Sequence, residues 1–117
     1  MPTPHTSGWN MTYNNATHTV KLDETVPAPN GVATVTKTIE PGSLADGDTL
    51  LFYNNRQGVT VTADGETLYQ LGNPDAHTKL NVACYCVVQL PHRDYAYDVN
   101  ITFRSDNDIS CQLPSIA

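Results

Sequence analysis

Hydrophobic and β-branched residues alternate with polar ones along much of the chain, with a period of two. The run VTVTADGETLYQL, Val59 to Leu71, contains two such stretches on either side of Asp64-Gly65. Because successive side chains of a strand point to opposite faces, this alternation predicts two strands, each buried on one face. Asp-Gly favours the tight turn of a β-hairpin, since glycine accepts a positive φ without steric cost. The stretch therefore predicts a hairpin with Val59, Val61 and Leu68 directed to the core.

Similar patterns occur in segments on both sides of this hairpin. VATVTKTIE, residues 32–40, is β-branched almost throughout, and VNITFRS, residues 99–105, places Val99, Ile101 and Phe103 on one face. TLLFYNN, residues 49–55, is a short apolar run typical of a strand buried on both faces. NVACYCVVQL, residues 81–90, has no charged residue, and we expect a central strand that ends before Pro91.

Turn-forming residues separate these segments. DETVPAPNG, residues 23–31, contains two prolines and Asn-Gly and is predicted to be a loop that follows a short strand, Thr17 to Leu22. About seven or eight short strands at this spacing are typical of an antiparallel β-sandwich. We therefore expect an all-β fold, with residues 1–8 as a flexible tail and residues 9–117 as one domain.

Composition and charge exclude several function classes. The chain has a formal net charge of −6, and its six basic residues are scattered along the sequence. Nucleic acids and anionic membrane surfaces both require clustered positive charge, so neither is an expected partner. Since apolar runs are much shorter than the roughly 18 residues of a membrane span, contact with a membrane would come only through segments outside this sequence.

The cysteine pattern predicts buried thiols. Cys84 and Cys86 form a C-x-C pair whose side chains should share one face of a strand, and Cys111 lies near the end of the chain. Free cysteine usually behaves as a small apolar residue, which is the reading we favour. A bridge from Cys111 to Cys84 or Cys86 is the alternative.

No pattern in the sequence indicates catalysis, a cofactor or a metal site. No serine lies in a G-x-S-x-G elbow, the histidines are scattered, and no His stands at a zinc-ligand spacing from the cysteine pair. The segments DGDT at Asp46 and SDND at Asp106 resemble calcium loops only faintly, because the twelve-residue pattern is absent. We expect no enzyme activity.

A compact polar cluster is the candidate binding site. Tyr53, Asn54, Asn55, Arg56 and Gln57 follow one another at the end of a predicted strand, and loops at strand ends often carry function. Such a site would suit a neutral or weakly anionic ligand, with Arg56 as the only fixed positive charge. The alternative is an ordinary turn between two strands.

The segment PGSLADGDTLLFYNNRQGVTVTADGETLYQLG, together with VQLP and YDVNITFRSD downstream, resembles the extracytoplasmic input domain of bacterial membrane signalling proteins. The resemblance covers most of the chain, but only the Asp64-Gly65 hairpin is distinctive. It implies a jelly-roll sandwich similar to the galactose-binding fold and to the sugar-binding domain of family-two glycoside hydrolases. In that family such domains precede membrane helices and a diguanylate cyclase or histidine kinase.

Three functions are therefore expected alternatives. The first is a non-catalytic, extracytoplasmic sensor domain that binds a small molecule or carbohydrate. The second is a carbohydrate-binding accessory domain of a secreted hydrolase, and the third is a structural spacer or adhesion domain. The sequence also leaves open a homodimer.

Overall fold

The computed structural model describes residues 8–27, 31–42, 48–71, 83–105 and 108–117. Within them the chain forms short strands, and no described segment is a helix long and apolar enough to cross a membrane. The strands are β1 (Asn10–Tyr13), β2 (Ala16–Thr19), β3 (Asp23–Val26), β4 (Val32–Ile39), β5 (Thr49–Asn55), β6 (Gly58–Ala63), β7 (Glu66–Leu71), β8 (Ala83–Gln89), β9 (Tyr97–Arg104), β10 (Ile109–Gln112) and β11 (Ser115–Ile116).

The strands form an antiparallel β-sandwich. One sheet has six strands in the order β2-β1-β4-β9-β6-β7, while β10 pairs with β3 and β5 lies between β11 and β8. β10 also lies beside β5, so that β3, β10, β5 and β8 make up the second layer. From β3 to β10 the chain crosses repeatedly between the two layers, with β3-β10-β5-β8 facing β4-β9-β6-β7. This order is that of a jelly roll, and the predicted all-β fold class is confirmed.

The core lies between the two layers and follows the period-two pattern. Val59, Val61, Val99, Ile101 and Phe103 are fully buried. The aromatic rings of Phe52 and Phe103 meet edge to face across the sandwich, with centroids 6.0 Å apart. The residues predicted for the inner faces of β6 and β9 therefore contribute to the core.

The Asp64-Gly65 hairpin has the predicted turn. Both residues have positive φ, 55° at Asp64 and 79° at Gly65, and β6 pairs with β7 on either side of them. A bulge shifts the register so that Val61 faces Tyr69 while Thr62 faces Thr67. The intervening Leu68 is half-buried against the core rather than fully enclosed.

Two predictions at the start of the chain are wrong. Residues 23–26, predicted to belong to a loop, form β3, because β10 provides a complete set of antiparallel partners. The predicted strand Thr17 to Leu22 ends earlier, at Thr19, and Leu22 is exposed. The strand pairs with β1 through a second hairpin, whose turn residues Asn14 and Asn15 both have positive φ.

Two apolar strands differ from the prediction in their burial. β5 is buried on one face only, since Leu51 is exposed between buried Leu50 and Phe52. β8, predicted to be central, pairs only with β5 among the described residues. Tyr85 and Val87 on its outer face are exposed. Both predictions fail because a lack of charge does not reveal how many faces a strand buries.

The three cysteines are unbridged. Cys86 and Cys111 are buried and Cys84 is half-buried, in agreement with the preferred reading of buried thiols. Within the predicted tail only Gly8 belongs to the described residues, and Asp46 and Asp106 of the calcium-like segments lie outside them.

Candidate functional site

The predicted cluster Tyr53–Gln57 lies where β5 turns into β6. Arg56 has a positive φ of 59° and is exposed, which makes it the residue that reverses the chain direction. Asn54 is 0% exposed and Gln57 is 2% exposed, so both amides point into the protein. The five consecutive residues therefore do not share one surface.

Hydrogen bonds connect the two buried amides to each other. The Asn54 side chain donates from Nδ2 to the Gln57 carbonyl oxygen at 2.7 Å and accepts at Oδ1 from the Gln57 backbone N–H at 3.3 Å. The Gln57 Nε2 also donates to the Asn54 Oδ1 at 3.4 Å. These hydrogen bonds span the turn between β5 and β6 on its buried side.

The Gln57 amide also joins two strands of the second layer. Its Nε2 donates to the Ser110 carbonyl oxygen at 3.0 Å, and the Ser110 backbone N–H donates to its Oε1 at 2.7 Å. An amide side chain that binds both backbone groups of one residue reproduces the bonding of a neighbouring strand. Gln57 thus connects the end of β5 to β10.

Tyr53, Asn55 and Arg56 remain accessible to a ligand. Tyr53 is half-buried, and Asn55 and Arg56 are exposed. Whether a ligand contacts any of the five predicted residues stays a prediction, but the buried amides of Asn54 and Gln57 already have partners within the fold.

Tyr53 belongs to a larger surface on the outside of the second layer. It lies opposite Tyr85 in the β5–β8 ladder, and the two rings meet at 67° with centroids 5.2 Å apart. Next to them Leu51 lies opposite Val87. Tyr85 is 67% exposed, Val87 61% and Leu51 40%. Three of the five exposed large hydrophobic residues in the described part of the chain thus lie on this one face.

We call this surface the β5–β8 face. It consists of the outward side chains of the two strands, none of which is acidic, basic or histidine: Thr49, Leu51, Tyr53, Asn55, Ala83, Tyr85, Val87 and Gln89. An aromatic ring on such a face can pack against the apolar side of a ligand. Amide and hydroxyl groups beside it can exchange hydrogen bonds with the ligand's polar atoms.

Another concave site lies at a different end of the molecule. Pro41, Gly42, His92, Arg93 and Asp94 line an open depression of about 510 Å³.

The described residues contain no group of three or more His, Cys, Asp or Glu side chains that could hold a metal ion. The two buried thiols, Cys86 and Cys111, are neutral at ordinary pH because of their burial. Burial raises the pKa of Cys86 to about 11 and that of Cys111 to about 12. Neither buried thiol has the lowered pKa of a catalytic cysteine.

Sequence reasoning did not select Tyr85. The alternation in ACYCVV placed Tyr85 and Val87 on one face, but an uncharged run gave no sign that this face would be exposed. Their exposure follows from their direction, since they alternate with the inner-face residues and point away from the opposite sheet. No family model, curated protein or solved structure matches this chain.

Proposed function

We propose that this chain is a non-catalytic binding domain whose β5–β8 face binds a neutral carbohydrate. The observation that carries the proposal is the contact between exposed Tyr85 and half-buried Tyr53 on an outward face without acidic, basic or histidine side chains. Sugar rings present C–H groups on their faces and hydroxyls around their edges. They therefore fit a surface in which aromatic rings lie beside neutral hydrogen-bonding groups.

Each side chain of this face has a distinct part in the proposed binding. Tyr85 offers most of its ring to a sugar, while Tyr53 contacts that ring from the side and restrains it. The amide of Asn55 is exposed on the same face and can bond to sugar hydroxyls. Arg56 follows it at the turn and would favour a ligand with an anionic substituent at that end.

The biological setting that we propose is an extracytoplasmic sensor of a membrane signalling protein. The resemblance in the Asp64-Gly65 segment and the jelly-roll strand order both support it. Ligand binding would be the input, and the output domain would be part of a longer protein. An accessory domain of a secreted hydrolase would use the same face for the same ligand class.

A ligand screen tests the proposal. We expect at least one neutral oligosaccharide in a panel of glucans, galactans, mannans and xylans to raise the melting temperature. At 100 times its dissociation constant the ligand should add about 2.7 kcal/mol to the free energy of unfolding. A panel that produces no shift at millimolar concentrations would contradict carbohydrate binding.

Substitutions then locate the site. We expect Tyr85→Ala to weaken binding by at least about tenfold, equivalent to 1.4 kcal/mol, because it removes the exposed ring. Tyr95→Ala is the matched control, since Tyr95 is also exposed but lies in the loop before β9, where its hydroxyl donates to Asp64. Equal loss of affinity in both variants would rule out the β5–β8 face.

A further inference from the structure

The inner face of β8 carries a thiol pair that the carbohydrate proposal does not use. Cys84 and Cys86 are separated by one residue and alternate with the outward Tyr85. Their side chains therefore point into the sandwich on the side opposite the β5–β8 face. Cys84 is half-buried and Cys86 is buried, so a path from solvent reaches the pair through Cys84.

Side chains from both layers surround the pair. Tyr69, which extends from β7 in the opposite sheet, and Cys84 are half-buried and pack against the core that contains Cys86. On the neighbouring strand Phe52 lies beside Cys86 and Asn54 beside Cys84. The two sulfur atoms thus lie together at one edge of the core.

The backbone disfavours a disulfide between these thiols. Residues two apart in a strand have Cα atoms about 6.6–6.8 Å apart, at the upper limit of disulfide geometry. The two cysteines are unbridged in the structure. An ion bound between the two sulfur atoms would link them without requiring the strand to bend.

We propose that Cys84 and Cys86 form a two-thiolate site for a monovalent soft metal ion, Cu(I). Thiolate ligands select Cu(I), zinc and iron–sulfur clusters. Structural zinc requires four ligands and iron–sulfur clusters are usually held by four cysteines, whereas Cu(I) accepts linear coordination by two. The described residues contain no third or fourth acidic, histidine or cysteine ligand grouped with the pair.

Binding replaces two S–H bonds by two Cu–S bonds. Each thiol releases its proton to solvent, copper remains in the +1 state throughout, and the site acquires one net negative charge. The metal deprotonates a coordinating thiol outright, so both ligands bind as thiolates.

The test is a competition for Cu(I) between the protein and bicinchoninate under anaerobic, reducing conditions. We expect one Cu(I) per chain in the wild-type protein, with affinity that rises by tenfold to a hundredfold per pH unit near neutrality as one or two protons are displaced. X-ray absorption should show two sulfur neighbours around the metal.

Cysteine variants provide the matched comparison. Cys84→Ser should weaken Cu(I) binding by at least a hundredfold, because one of two ligands is lost at a half-buried position that tolerates a hydroxyl. Cys111→Ser should bind as the wild type does, since Cys111 lies on β10, which neighbours β5 on the side away from β8. Circular dichroism would establish that each variant is folded.

Two outcomes would overturn the proposal. One is failure of the folded wild-type protein to compete with bicinchoninate at any pH between 6 and 8. The other is equal Cu(I) affinity in the wild type and Cys84→Ser. Sugar binding is measured in separate experiments on the other face of β8, so either proposal can fail without the other.

Discussion

The Gln57 amide provides the most direct test of how the second layer is held together. Gln57→Leu retains most of the side-chain volume but removes the hydrogen bonds at 3.0 Å and 2.7 Å to the Ser110 backbone. It also removes the donor to the Asn54 Oδ1. The substitution therefore separates the polar contribution from the effect of a cavity.

The expected destabilisation follows from those bonds. Each intramolecular hydrogen bond contributes about 1 kcal/mol net, and a buried polar group left without a partner costs about 1–3 kcal/mol. Since the Ser110 groups are only partly buried, we expect Gln57→Leu to lower the free energy of unfolding by about 3 kcal/mol. For a domain of this size that loss corresponds to a fall of roughly 12 °C in melting temperature.

Urea denaturation of wild type, Gln57→Leu and Gln112→Leu measures the effect. Gln112 is the control because it is an exposed glutamine on β10, the strand that contains Ser110. Its replacement should change the free energy of unfolding by less than about 0.5 kcal/mol. A Gln57→Leu protein within 0.5 kcal/mol of wild type would refute the role assigned to the amide.

Two further predictions concern the hairpin and the buried thiols. Gly65→Val should destabilise the domain by at least about 1 kcal/mol, because Gly65 has a φ of +79° that a β-branched residue resists. An added Cβ would meet no atom within 4 Å, so the loss would come from backbone strain and not from a clash. An unchanged melting temperature would contradict the positive φ assigned to Gly65. Burial raises the pKa of Cys111 from 9.0 to about 12. The unfolded chain therefore loses this proton first, and stability should fall as pH rises from 9 to 12. The free energy of unfolding of Cys111→Ala should fall less steeply with pH in that range than that of the wild type. Identical slopes in the two proteins would show that Cys111 does not contribute to the pH dependence of stability.

The elements predicted correctly are those whose signal is local. In the Asp64-Gly65 hairpin the turn residues and the flanking alternation lie within thirteen residues, and the positive φ values follow from steric rules. The same holds for β4 and β9, which are β-branched and alternate regularly. In these segments the local alternation and the turn residues are sufficient to predict the strands.

The elements that were missed depend on distant partners. β3 contains Asp23 and Glu24 and resembles a loop, but pairing with β10 near the end of the chain makes it a strand. Glu24 also bonds to the His18 side chain, which ties it to β2 of the other sheet. Neither contact leaves a signature in the local sequence.

The candidate site also depends on contacts between residues that are far apart in the sequence. Asn54 and Gln57 look like surface amides because polar residues at a strand end usually face water, yet the partner of Gln57 lies 53 residues further along the chain. Tyr53 and Tyr85 become neighbours only through the β5–β8 register. The sequence therefore places Tyr53 in the candidate site, whereas the position of Tyr85 beside it depends on strand pairing.

A titration followed by two-dimensional ¹H–¹⁵N NMR tests the proposed binding surface most directly. The labelled protein is titrated with the neutral oligosaccharide that gives the largest thermal shift. We expect the shifting amides to cluster at Tyr53, Asn55, Tyr85 and Val87, on the outside of the second layer. Shifts concentrated instead on the six-stranded sheet, or around the depression at Pro41 and His92, would contradict the assignment of the β5–β8 face.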